Sequence, residues 1–278
     1  MITVIDTNSR KATAIPEGTV WHILTPSADQ TRVEVSRYEV DAGKAHRIPA
    51  SERTQVAYIV GGRDAEVTYS AAGKATTYPA QRGCGVYLEP NEEAVIKAST
   101  TPLVLLQVTV PKHTGKAAGP GGEPARGYFF DESKLQALVD ERRMRKRTFW
   151  VNKETGLSRS WDLQLGRMLY EPRAHAPRHV HHAPQTGSVT PEHFYLIETG
   201  TGEVKHDHGS FPLGPGSLVL IPAGEWHQLF ASDTGLDYIE FQAPFDFATT
   251  MDHDPLGKNW YIQGTDDGTG NPKLWVQS

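Results

Sequence analysis

The stretch "PRHVHHAPQTGSVTPEHFYLIETGTGEV", residues 177–204, places four of the chain's twelve histidines around a run that reads as a β-strand and turn. A second stretch, "GPGSLVLIPAGEWHQLFAS" at 214–232, is a strand that ends in a Pro-x-Gly turn with a histidine just beyond it. Side chains two apart in a strand share a face, so His179 and His181 project together while His182 points away. His227 adds an imidazole from a separate strand, and Glu192 adds a carboxylate at the start of "EHFYLIET". Three neutral imidazoles with one carboxylate suit a divalent transition ion, with positions left open for water, substrate or dioxygen.

Outward from these stretches the chain repeats one pattern. Short runs rich in β-branched and aromatic residues, such as "RVEVSRYEV" (32–40), "LVLLQVTV" (103–110), "DLQLGRMLY" (162–170) and "LDYIEFQA" (236–243), alternate with Gly, Pro, Asn and Asp turns. That is the signature of an all-β sandwich or barrel. One segment departs from it. "PKHTGKAAGPGGEPARG" (111–127) reads as a linker, and "DESKLQALVDERRMRKR" (131–147) carries Leu135, Leu138 and Val139 at i, i+3, i+4 spacing, which predicts a short helix. Its basic run at 142–147 reads as a solvated helix face.

The two halves resemble each other. "YIVGGRDAEVTY" (58–69) matches "YLIETGTGEVKH" (195–206), and "GCGVYLEPNEEAVIKAS" (83–99) matches "GPGSLVLIPAGEWHQLFAS" (214–232). Two similar β-domains in tandem, 1–110 and 151–278, joined by a linker and helix at 111–150, account for the length.

Composition narrows the function classes. A formal charge of −5, from 28 basic and 33 acidic residues, gives no reason to expect nucleic acid as a partner. No run is long and apolar enough to suggest a membrane span or leader, so a cytoplasmic location is the expectation. Cys84 is the single cysteine, so any metal is held by His and carboxylate rather than by a cysteine cage.

These motifs resemble those of the cupin family, and their tandem arrangement resembles a bicupin. The family's second motif, Gly-x5-Pro-x-Gly-x2-His, is met by Gly216, Pro222, Gly224 and His227. Its first, His-x-His followed by Glu and a later Gly, is met by His179, His181 and Glu192. Ten residues separate His181 from Glu192, more than the family usually has, so "HAPQTGSVTP" is expected to bulge out as a loop. With Glu192 as ligand, Thr199 stands where the family has glycine. Anchoring on Gly200 instead puts His193 in the ligand position, whereas the ungapped strand pattern from Phe194 to Glu198 favours Glu192. In the first half the matching places are His46, Ile48, Gln55 and Val95, a poor ligand set that implies a degenerate cupin without metal.

The resemblance implies an all-β fold of two tandem cupin barrels, the second holding one divalent ion, Fe(II), Mn(II), Ni(II) or Zn(II), on His179, His181, Glu192 and His227. It implies a metal-dependent bicupin enzyme, foremost a mononuclear non-haem dioxygenase or other oxidoreductase of a small polar or aromatic organic acid. The alternatives are a non-redox hydrolase, lyase or isomerase similar to ureidoglycine aminohydrolase, and a non-catalytic binding or sensor cupin. A homodimer is the expected assembly. Arg167 and Arg178 are weighed as carboxylate clamps against the commoner reading of surface arginines, and His206 and His208 are expected to be exposed in a turn.

Overall fold

The structure is a computed structural model that describes residues 1–112, 126–152, 161–183, 189–252 and 260–264. Most of the Gly/Pro-rich linker and part of the expected loop at 182–191 lie outside these residues. The chain divides into two compact units, one built from 9–112, 126–135 and 161–162, the other from 1–8, 136–152, 163–183, 189–252 and 260–264.

The N-terminal unit has two antiparallel sheets. One has seven strands, in the order Tyr128–Asp131, Cys84–Leu88, Thr54–Gly61, Leu103–Val110, Glu34–Val40, Gly18–Leu24 and Ala12–Ile15. The other has four: Ala45–Ile48, Glu93–Ala98, Ala65–Ala71 and Lys74–Ala80. Ile59, Val86 and Leu105 of the first sheet pack with Ile48, Val67 and Ile96 of the second in one core, because alternate residues of each strand point inward. The edge strand Lys74–Ala80, by contrast, is largely exposed and polar.

The C-terminal unit is a continuous eleven-stranded sheet. Its main path runs Thr3–Asp6, Ser217–Pro222, Glu192–His206, His227–Ala243, Gln164–Tyr170, Arg145–Val151, Ala137–Asp140 and Tyr261–Ile262. Residues 1–8 thus group with this unit through pairing of Thr3–Asp6 with Ser217–Pro222. The strands Glu192–His206 and His227–Ala243 pair along almost their whole length, with register shifts at Ile197/Thr199 and Gly200/Gly202. These irregularities bend the pair. The consequence is visible in the rings: His193 lies 5.5 Å from His227, although the Cα partner of His227 is His206, about 40 Å further along a straight strand.

The helix expected over 131–147 is not formed. Those residues make the end of Tyr128–Asp131, a 3-10 turn at Glu132–Lys134, the strand Ala137–Asp140, a second 3-10 turn at Glu141–Arg143 and the start of Arg145–Val151. The period that prevails is two. Leu138 and Asp140 pair with Arg147 and Arg145, so all four take the same face. The basic run is accordingly not a solvated face, since Arg143, Arg145 and Arg147 are buried. Asp140 accepts from Arg143 at 2.9 Å and from Arg145 at 2.7 Å, while the guanidinium groups of Arg145 and Arg147 lie over Trp260 at 4.9 and 4.1 Å. Among the described residues the single α-helical stretch is Pro26–Asp29, and no helix is long and apolar enough to cross a membrane.

Candidate metal centre

His179 and His181 stand on the strand His179–His182, held between two neighbours. It pairs with Ala248–Met251 along its length and with His227 at His179. The Pro-x-Gly turn is tied to the same strand, because Gly224 N donates to His181 O at 2.8 Å. The turn residue Gly224 has φ +82°. These ties bring His179, His181 and His227 together, with one ligand nitrogen from each within 4.8 Å of the others.

Hydrogen bonding fixes which nitrogen each ring presents. His179 Nδ1 lies 2.8 Å from Pro177 O and His227 Nδ1 lies 2.9 Å from Glu225 O. A carbonyl only accepts, so both Nδ1 atoms carry the proton and both Nε2 atoms keep a lone pair. His181 Nδ1 lies 2.9 Å from Thr249 Oγ1, and its Nε2 lies 3.2 Å from Gln242 Nε2, which donates to it. His227 Nε2 and Gln242 Oε1 are buried without a hydrogen-bond partner. His179 and His227, each tied at Nδ1 with Nε2 keeping its lone pair, have the arrangement of histidines that bind a metal. A buried lone pair facing other lone pairs has no proton donor to satisfy it, and a cation does so. The donor set therefore fits a divalent transition ion.

Burial reinforces the neutral state. It lowers the pKa of His179 to about 4, with nearby His193 adding to the shift, and pushes His181 and His227 well below the ordinary range. Neutral imidazole is the ligating form.

Glu192 is not brought into this cluster. It stands half-buried on the strand Glu192–His206 with parity opposite to His193, and it is His193 whose ring lies 4.6 Å from His181 and 5.5 Å from His227. Gly200, at φ +82°, is the residue the bend requires, because a Cβ there would meet Gly235 O at 2.1 Å. Anchored on Gly200, the motif places His193 in the ligand position. The ungapped run from Phe194 to Glu198, on which the alignment to Glu192 rests, contains a residue that the pairing skips.

His193 Nε2 lies 2.8 Å from Glu240 Oε1, and its Nδ1 is buried without a partner. Burial raises the Glu240 carboxyl, but the hydrogen bond with His193 and the nearby Arg147 guanidinium prevail and hold it below its usual range, so it is ionised. Phe247, 5.1 Å from His181, and Tyr195, 4.6 Å from His193, supply apolar walls. Sequence reasoning missed Glu240 and Thr249. Glu240 had a signal: Leu236, Tyr238, Glu240 and Gln242 alternate on one face of "LDYIEFQA", so the carboxylate occupies an inward position. Thr249 had none.

The other candidates lie elsewhere. Arg167 is held by Asp237, and Arg178 is held by Asp207 at 2.6 Å and Asp252 at 2.9 Å, over Trp226. His206 stacks on Phe211, while His208 is exposed; neither joins the group of three. In the N-terminal unit, His46 Nε2 lies 2.9 Å from Gln107 Oε1, Gln107 Nε2 donates to Gln55 Oε1 at 3.2 Å, and Gln55 Nε2 donates to Pro49 O at 3.0 Å. This chain of amides satisfies the positions that hold lone pairs in the other half.

The family described as AraC-like ligand binding domain matches residues 169–244, a span that contains His179, His181, His193 and His227. Bacillus subtilis oxalate decarboxylase, in a structure concerned with its Mn(II) centres, superposes with a TM-score of 0.70 at 14% identity, covering 89% of this chain and 78% of that one. The fold is that of the cupins. The same score and identity hold for Lactobacillus farciminis oxalate decarboxylase in its formate complex, over 89% of this chain and 88% of that one. The Escherichia coli protein Ylba superposes with a TM-score of 0.65 at 14% identity, over 87% of this chain and 90% of that one. No curated protein matches the chain in sequence.

Proposed function

We propose that this protein is a metal-dependent bicupin enzyme whose C-terminal barrel holds one divalent transition ion on His179, His181 and His227, with His193 at the fourth position. The observation that carries the reading is the set of imidazoles whose outer nitrogens are tied down and whose inner lone pairs converge, His227 Nε2 being buried without a partner. Neutral nitrogen donors leave the charge of the ion uncompensated, which favours an anionic ligand in its open positions. A small organic acid meets that need, and the oxalate decarboxylase neighbours support the same substrate class. When bound, the ion polarises the oxygen atoms of such a ligand and, as Fe(II) or Mn(II), opens oxidoreductase chemistry with dioxygen.

The chain's own residues do the rest. Phe247 and Tyr195 keep water from the rings, and Gln242 Oε1 offers an acceptor to a hydroxyl or protonated group of the bound acid. Elemental analysis of anaerobically purified, untagged protein, followed by oxygen-electrode assays on small organic acids, tests the reading. Near-stoichiometric iron or manganese with substrate-dependent oxygen uptake is the expected result. Bound metal with turnover but no oxygen uptake would replace the oxidoreductase with a hydrolase, lyase or isomerase.

One observation favours a second reading. The match to an AraC-like ligand binding domain over 169–244 supports a cupin that binds a small molecule without turning it over. Calorimetric binding of an organic acid to the metal-loaded protein, with the acid recovered unchanged, would select it.

A further inference from the structure

A carboxylate stands behind one ring of the cluster, on Glu240, a residue outside both motifs. Glu240 accepts a hydrogen bond from His193 Nε2 at 2.8 Å. In that pair the imidazole N–H donates and the carboxylate oxygen accepts, so Nε2 carries the proton and, in the neutral ring, Nδ1 keeps the lone pair. That Nδ1 is buried and has no partner, and its ring lies beside those of His181 and His227. The other three rings are tied at Nδ1 by a carbonyl or hydroxyl. His193 alone is tied at Nε2, and by a charge.

We propose that Glu240 is a positioning residue that presents His193 Nδ1 to the ion, giving four imidazole donors with one carboxylate standing behind them. This rests on the metal-centre reading above. A carboxylate behind a ligating imidazole fixes its tautomer and raises its basicity.

The N-terminal unit supplies an independent observation, because the same two positions are occupied there by other chemistry. Ala57 pairs with Gln107 and Gln55 with Thr109, as Tyr195 pairs with Glu240 and His193 with Gln242. In each unit the pairing skips one residue, Val60 five places after Gln55 in one and Glu198 five places after His193 in the other. A glycine of positive φ follows two places later, Gly62 or Gly200. Gln55 is therefore the counterpart of His193, and Gln107 the counterpart of Glu240. Gln107 donates to Gln55 at 3.2 Å, so the contact persists, but as a neutral amide pair. Where the ring is absent the charge is absent too, which is expected if the charge serves the ring as a ligand.

The test is a double-mutant cycle on cobalt(II) binding to the full chain, read by competition with a chromophoric chelator and by the ligand-field absorption of the bound ion. Glu240→Gln is expected to weaken cobalt(II) by about 10–100-fold and to move the absorption towards that of His193→Ala. In the His193→Ala background the same change is expected to alter affinity by no more than about 2-fold. Glu240→Asp keeps the charge and is expected to lie between Glu240→Gln and the parent, and it supplies the cycle if Glu240→Gln does not fold. Equal loss in both backgrounds, or affinity and absorption unchanged by Glu240→Gln, would overturn the proposal. Stoichiometric cobalt(II) in His227→Ala would instead remove the metal-centre reading on which it rests.

Discussion

The group that ties each imidazole of the candidate centre differs from ring to ring: a proline carbonyl, a threonine hydroxyl, a glutamate carbonyl and a glutamate side chain. The threonine gives a clean test of what such a tie contributes. Thr249→Val removes the acceptor from His181 and is expected to lower metal affinity by about 10-fold, with Thr249→Ser restoring it. A chelator competition that places Thr249→Val at the parent affinity would show that His181 needs no tie. Protonation supplies a second prediction. Burial holds His179 at about 4 and pushes His181 and His227 well below the ordinary range, against an ordinary 6.5 in the unfolded chain. Above the higher value both states are neutral and stability does not depend on these groups. As pH falls from about 6.5 towards 4 the unfolded chain binds protons that the folded chain refuses, so the metal-free protein loses stability across that window. Denaturant midpoints of the metal-free protein that stay flat over the window would contradict it. At this scale His179, His181 and His227 were legible because fixed spacing identifies them. That the ring of His193, and not the side chain of Glu192, lies beside them was not legible, and Thr249 reaches the site from a strand carrying no motif.

Strands account for most of what alternation predicts, and turns for most of what it misses. The helix expected over 131–147 rested on three apolar residues, whereas Asp140 and Arg145 share a strand face and form a buried ion cluster with Arg143. Charged residues at inward positions conceal period two from a reading that looks for apolar ones. Replacing Asp140 by Ala leaves two buried guanidinium groups without their shared acceptor and is expected to cost roughly 3–5 kcal/mol, measured as a shift in denaturant unfolding. The bend at Gly200 is equally specific. Gly200→Ala sets a Cβ against Gly235 O in a left-handed backbone conformation, and a loss above about 2 kcal/mol with weakened metal binding is expected. Wild-type stability in that variant would mean that the bulge relaxes freely.

At the scale of the whole chain, two β-units share one strand plan and differ in what fills it. The internal repeat made that plan legible in advance. The grouping of residues 1–8 with the C-terminal unit did not show in the sequence, since the pairing of Thr3–Asp6 with Ser217–Pro222 joins segments more than 200 residues apart. In the N-terminal unit Gln55 and Gln107 close the interior with a satisfied hydrogen-bond chain, and in the C-terminal unit His193 and Glu240 leave a lone pair open. The contrast makes the central claim a matter of counting ions. The direct measurement is the metal content of His227→Ala and His46→Ala beside the parent protein, each loaded anaerobically and freed of loose metal. One ion per chain in the parent and in His46→Ala, with none in His227→Ala, is the predicted result. Equal loss from both variants, or a full ion retained by His227→Ala, would contradict it.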